Sequence, residues 1–181
     1  IVKVLKFYLI FTIITMILYA IRHAIFSFNR LYGKQELYYG DIYNSDLPTI
    51  SVLVPMHNEE KVIHNCLNSL INSDYDKNKF EIIGINDNST DNTKEILDDY
   101  CNKYSIIKAL HRDSEERGKP VGLNDALEIA KGEIIIVFDA DYRPSKNMLK
   151  KLVIAFTNNE VEAVMGRVIP YNNNKNLLTQ L

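Results

Sequence analysis

The sequence predicts an α/β protein, a mostly parallel sheet flanked by helices and preceded by one apolar N-terminal helix. Three observations predict it. From Thr49 onward, short apolar runs alternate with amphipathic segments, the pattern of successive βαβ units. The run Ile134-Ile-Ile-Val-Phe138 is continuously apolar and mostly β-branched, as expected of a strand covered on both faces in a parallel sheet. Upstream, Phe7–Ile21 is uncharged and apolar all round rather than on one face, which favours a membrane-spanning helix over a surface-lying one.

Composition narrows the function. A hydrophobic content of 46% and a charged content of 24% suit a folded domain. Residues 1–34 carry five of the 21 basic residues (Lys3, Lys6, Arg22, Arg30, Lys34) and none of the 23 acidic ones. The rest of the chain is therefore net acidic, which argues against a nucleic-acid partner. Cys66 and Cys101 fall on apolar helix positions and read as small core residues in a reducing compartment. No Cys/His cluster points to zinc.

In order, residues 1–28 form the membrane anchor, with Lys6 and Arg22 able to snorkel to the interfaces. No small-residue cleavage site follows, which disfavours a removed signal peptide. Residues 29–48 read as a juxtamembrane linker, and residues 49–181 as the α/β domain. Ile50–Val54 is the first strand. A helix is expected from about Asn58, capped by that side chain, with Val62, Ile63, Cys66, Leu67, Leu70 and Ile71 at helical spacing. Phe80–Ile85 is the second strand, Thr93–Tyr104 a helix, and Ser105–Leu110 the third strand. A charged loop over His111–Gly118 leads to a helix bearing Leu123, Ala126, Leu127 and Ala130. After the strand opening at Ile134 come a helix with Met148, Leu149, Leu152, Val153 and Phe156, and a further strand near Val161–Val168.

Three polar clusters follow strands: Pro55-Met-His-Asn-Glu-Glu60, Asn86-Asp-Asn-Ser-Thr90 and Asp139-Ala-Asp141. Parallel strands joined by right-handed crossovers bring their carboxyl ends to one edge, where open α/β sheets bind ligands. Extended backbone continuing to Asp141 would point Asp139 and Asp141 to the same side of a central strand. Carboxylates held together call for a cation or for substrate donors. Oxygen-only ligands favour Mg²⁺ or Mn²⁺, completed by water and substrate phosphates. Neither a Gly-x-Gly-x-x-Gly nor a Walker-type loop occurs, so the metal and the basic loop Arg112–Lys119 are expected to hold any phosphates.

Four stretches carry a family resemblance: Ile50-Ser-Val-Leu-Val-Pro-Met-His-Asn-Glu59, Glu81-Ile-Ile-Gly-Ile-Asn-Asp-Asn-Ser-Thr-Asp91, Gly118-Lys-Pro-Val-Gly-Leu-Asn-Asp-Ala-Leu127 and Phe138-Asp-Ala-Asp141. In this order and spacing they resemble the family 2 glycosyltransferases of GT-A, Rossmann-like fold. The N-terminal anchor and Ala163-Val-Met-Gly-Arg-Val-Ile-Pro170 look closest to the membrane-bound processive synthases of cellulose, hyaluronan and poly-N-acetylglucosamine. The resemblance implies inverting transfer from a nucleotide sugar, a UDP-sugar, to a growing polysaccharide. A lipid-linked transferase of the dolichyl-phosphate type, or a non-catalytic nucleotide-binding module, are the rivals.

The resemblance also assigns residues. Asp87 matches the position that binds the nucleobase or ribose, and Asp141 the metal ligand of the Asp-x-Asp motif. Asp139 lies beside the metal, ribose and phosphates. Pro55, His57 and Glu59 belong to the first nucleotide-binding loop, and Lys119 matches a basic residue near the nucleotide. His57 stands where the family more often has Tyr, and Asn86 replaces a common Asp. His64 and His111 read as solvated or helix-surface residues. The family's catalytic base and a Gln-x-x-Arg-Trp motif lie further along than Leu181, so the sequence reads as an N-terminal piece, and Glu160 and Glu162 sit too close to the Asp-x-Asp motif to replace that base. Because nucleotide sugars are cytosolic, the resemblance places the domain at the cytoplasmic side of the cell membrane.

Overall fold

The structure, a computed structural model, describes residues 2–32, 47–116, 118–157, 160–166 and 168. The chain divides into two compact units, Ile1–Tyr38 and Tyr39–Leu181. In the first, helix α1 runs over Val2–Tyr32, into the stretch expected to be linker; residues 33–46 lie outside the described part. Within it, Val2–Phe28 is long and apolar enough to cross a membrane, since 27 residues rise roughly 40 Å against a hydrocarbon core of about 30 Å. The Thr12 and Thr15 hydroxyls donate back to the Tyr8 and Thr12 carbonyls at 2.8 Å, which satisfies them inside the helix.

The second unit begins with β1 (Ile50–Met56), followed by α2 (Ile63–Ile71), β2 (Phe80–Asp87), α3 (Thr93–Lys103), β3 (Ile107–Arg112), α4 (Lys119–Ile129), β4 (Ile134–Val137) and α5 (Met148–Ile154). A 3₁₀ turn, Ala155–Thr157, closes the last helix. The four strands form one parallel sheet in the order β3-β2-β1-β4. Alternation along β1 sorts the core. Ile50, Val52, Val54 and Met56 face a large layer built with Ile63, Cys66, Leu67, Leu97, Leu149 and Val153 of α2, α3 and α5. Leu53 on the opposite face joins Ile83, Ile85 and Ala126, so α4 covers that side. The chain order reverses at β1, with β2 on one side and β4 on the other, so the crevice between β1 and β4 is the switch point of the sheet.

The structure corrects four expectations. β4 is an edge strand among the described residues, not a central one, and its α4-side residues Ile135 and Val137 are 37% and 42% exposed rather than covered. Extended backbone stops at Val137, and Asp139 begins a turn in which its carbonyl accepts from the Tyr142 N–H at 3.0 Å. β3 extends through Arg112, which takes His111 and Arg112 out of the expected loop. Residues 161–166 and 168 form no strand. The apolar pattern there has no pleated surface to fit, and Met165 is 93% exposed.

Candidate active site

The first wall of the site is the loop after β1. Asn58 caps no helix; Val62 occupies the cap of α2 without a side-chain bond. Instead Asn58 takes a positive φ of 56° and its Oδ1 accepts from the Thr90 N–H at 2.7 Å, while its own N–H donates to Ser89 Oγ at 3.0 Å. The next two amides donate to Thr93 Oγ1 and Asp91 Oδ2. Asn tolerates the left-handed region better than most residues, so the loop can turn back and be stitched to the one following β2. His57 Nδ1–H donates to the Asp87 carbonyl at 2.7 Å, which fixes the ring beside that loop.

The second wall is Asp87, the last residue of β2. Its Oδ1 accepts from Arg112 Nη1 at 2.7 Å and its Oδ2 from the Gly118 N–H at 2.8 Å. Arg112 is directly across the β2–β3 ladder from Asp87, and its side chain is only 5% exposed. Its Nε donates to Asp125 Oδ2 at 2.6 Å, and Nη2 donates to Ser114 Oγ and the Glu116 carbonyl. The hydrogen bond to Asp125, and then the charge of Asp87, hold the guanidinium above its ordinary value against its burial. Arg112 is therefore committed to two carboxylates and two loop oxygens. The expected phosphate-holding basic loop reduces to Lys119 among the described residues; residue 117 lies outside them.

The third wall is the acidic turn. Asp139 is paired with the Lys119 ammonium, which projects from the start of α4. Asp141 is exposed and makes no hydrogen bond to a described residue. Beneath the turn, the Cys66 thiol donates weakly to the Asp139 carbonyl at 3.7 Å; burial first, then Asp141 and Asp139, push it up to about 12, which leaves it protonated and inert. Cys101 is also free. The Glu59 carboxyl is raised above its usual range by burial first and then by Asp141, Asp91 and Asp139, partly offset by His57. Asp141, Asp91 and Asp139 thus lie close enough to Glu59 for their charges to act on it.

These walls enclose a cleft of about 530 Å³, within the range of small-molecule sites. All seven residues singled out from the sequence line it: Pro55, His57, Glu59, Asp87, Lys119, Asp139 and Asp141. Gly118 and Gly122 complete the lining on the α4 side. Of the other histidines, His64 is exposed on the surface of α2 and meets the Tyr100 hydroxyl, and His111 is exposed and paired with Asp98 at 2.8 Å. Sequence reasoning missed the ties of Arg112 to Asp87 and Asp125. The pairing register, Asp87 opposite Arg112, was the signal that would have found them.

Among the described residues no three His, Cys, Asp or Glu side chains converge into a closed metal cage. Any cation here would need further ligands from outside those side chains. Ions such as Mg²⁺ or Mn²⁺ are held by one or two carboxylates and take their other ligands from water and substrate phosphates. The oxygen-only set at Asp139 and Asp141, with Asp141 making no hydrogen bond among the described residues, fits a cation of that kind.

An open parallel sheet with an acidic ligand cleft at its switch point defines the class, a Rossmann-like α/β domain. The profile of glycosyl transferase family 2 matches residues 51–181, and the chain belongs to that family. A probable glycosyltransferase of Bacillus subtilis, YdaM, is 39% identical over 138 residues, covering 75% of this chain and 33% of the relative. The beta-monoglucosyldiacylglycerol synthase of a Nostoc species is 36% identical over 151 residues, covering 83% and 32%. Staphylococcus aureus TarS 1–349, solved with UDP-GlcNAc, superimposes with a TM-score of 0.56 at 33% identity, covering 71% of this chain and 38% of that one. The mannosyltransferase PcManGT of Pyrobaculum calidifontis, solved with GDP-Man and Mn²⁺, gives 0.56 at 31% identity, covering 60% and 32%. The fold is thus the GT-A fold. The chain spans about a third of the length of the curated relatives it matches.

Proposed function

We propose that this chain is the donor-binding part of a membrane-anchored glycosyltransferase that uses a UDP-sugar and a divalent cation. Residues 1–28 form the anchor, residues 29–48 the linker, and residues 49–181 the nucleotide-sugar-binding domain, facing the cytoplasm. The observation that carries the reading is the convergence of Asp87, Lys119 and the Asp139–Asp141 turn in one switch-point cleft. Support comes from the solved relatives, one holding UDP-GlcNAc and another GDP-Man with Mn²⁺.

In this reading, Asp87, clamped by Arg112 and Gly118, accepts hydrogen bonds from the base or ribose, with Pro55 and His57 flanking it. Asp139 and Glu59 border the ribose and phosphates, and Lys119 contacts the diphosphate. Asp141, with Asp139, holds Mg²⁺ or Mn²⁺, which when bound supplies Lewis-acid stabilisation of the diphosphate. An acceptor hydroxyl, losing its proton to a general base of the whole enzyme, attacks the anomeric carbon in line; the bond to the nucleoside diphosphate breaks, the diphosphate leaves with the bonding electrons, and the configuration inverts. The acceptor is a growing polysaccharide in the first reading. A lipid acceptor is the second, supported by the relatives named beta-monoglucosyldiacylglycerol synthase.

Titration calorimetry of the chain in detergent micelles tests the donor site. UDP is expected to bind with Mn²⁺ and at least tenfold more weakly in EDTA or in Asp141→Ala. Equal binding in all three conditions would remove the metal assignment.

A further inference from the structure

Lys119 and Asp139 form an ion pair across the cleft, from the first residue of α4 to the turn after β4. Both side chains are about half exposed, at 51% and 42%, so the pair is readily exchanged for another partner. Lys119 is the only Lys or Arg among the described residues that line the cleft, since Arg112 stands behind Asp87 with its donors committed elsewhere. The acids opposite have the reverse problem. Asp141 has no hydrogen-bonding partner among the described residues, and Glu59 is crowded by Asp141 and Asp139. Among the described lining residues one ammonium group thus meets two demands: pairing with the acidic turn, and meeting whatever anion enters.

We propose that Lys119 is a positioning residue that couples cation binding to nucleotide binding. On Asp139 it fills part of the place a divalent cation would take and repels that cation. A nucleoside diphosphate entering the cleft offers Lys119 a denser negative partner. Transfer of the ammonium to the diphosphate frees Asp139, which then stands with Asp141 as an uncompensated pair. Cation and nucleotide therefore each raise the other's affinity, and linkage makes the two factors equal. The inference rests on the reading of the cleft as a nucleotide-diphosphate site, and adds to it a direction: removing this positive charge strengthens cation binding in the absence of nucleotide.

The test uses the full chain in micelles, with Mn²⁺ binding followed by electron paramagnetic resonance with and without UDP, in wild type, Lys119→Gln and Lys119→Arg. Both substitutions fall on a half-exposed side chain and leave the core intact. Lys119→Gln is expected to bind Mn²⁺ alone about two- to fivefold more tightly, the range open to an exposed pair, and to bind UDP in saturating Mn²⁺ about tenfold more weakly. The factor by which UDP tightens Mn²⁺ falls accordingly, while Lys119→Arg keeps most of it. Mn²⁺ binding by Lys119→Gln that is unchanged or weaker than wild type, with UDP binding intact in wild type, overturns the coupling alone. Wild type binding neither UDP nor Mn²⁺ overturns both the coupling and the donor-site reading.

Discussion

Gly118 offers a test in which a single methyl group reports on the site. Its backbone sits at φ 118° and ψ 153°, a region that is essentially glycine-only. A Cβ built there meets nothing closer than Pro120 Cδ at 3.8 Å. Gly118→Ala therefore introduces no clash, and its whole cost is conformational, about 1–3 kcal/mol. The chain can meet that cost in two ways. Holding the conformation stores the strain, so the fold loses about 2 kcal/mol and the site stays intact. Relaxing the backbone withdraws the Gly118 N–H from Asp87 Oδ2, now at 2.8 Å, and forfeits a hydrogen bond to a charged group worth about 1.5–3 kcal/mol. Either way stability falls by about 2 kcal/mol, and in the second case UDP binding falls about tenfold as well. Urea unfolding in micelles, paired with UDP titration, separates the two. A Gly118→Ala chain within about 0.5 kcal/mol of wild type and equal in UDP affinity would refute the glycine-only backbone at Gly118 and its link to Asp87.

Three further perturbations follow from the same contacts. Arg112→Met leaves Asp87 without its cation and is expected to lower the melting temperature and weaken UDP binding more than tenfold, whereas Asp125→Asn, altering a 47%-exposed carboxylate, has a much smaller effect; thermal unfolding and calorimetry compare them. Gly132→Ala forces a Cβ to within 2.2 Å of the Ser51 amide nitrogen and 2.3 Å of the Ile50 carbonyl carbon, backbone atoms that cannot rotate away; a loss of about 3 kcal/mol or more is expected in urea unfolding. Glu59→Gln acts in the opposite direction. Burial and neighbouring acids raise the Glu59 carboxyl, so the folded state binds its proton more tightly than the unfolded state does, and its ionisation costs stability at every pH above the folded value. The variant is expected to melt higher than wild type at pH 7, with the difference vanishing as the pH falls through the carboxylate range, and to bind Mn²⁺ with UDP less tightly.

The sheet was legible because its signal is local and repeated. β1 and β2 are apolar runs ended by polar clusters, and burial of Ile50, Val52, Val54, Ile82 and Ile83 follows directly from that pattern. The site was legible for a related reason: parallel topology carries every strand's carboxyl end to one edge, so Pro55–Glu59, Asp87 and Asp139–Asp141 had to meet. What escaped were features fixed by partners distant in sequence. Asn58 carries the composition of a helix cap, yet its side chain is spent on Thr90, 32 residues away. Arg112 looked like part of a phosphate-binding loop until the β2–β3 register placed it against Asp87. The Ile134 run reads as doubly buried by composition, but coverage depends on what packs alongside, and Val137 is 42% exposed. The apolar pattern near Val161–Val168 likewise found no ladder among the described residues.

On the proposed reading the nucleotide occupies the cleft between the β1 loop, Asp87 and the start of α4. Photolabelling with a 5-azido-uridine diphosphate in Mn²⁺, followed by peptide mapping, tests it directly. Label is expected within the His57–Glu59 or Gly118–Gly122 peptides, blocked by excess UDP and lost in Asp87→Ala. UDP-protected label confined to peptides elsewhere in the chain would contradict it.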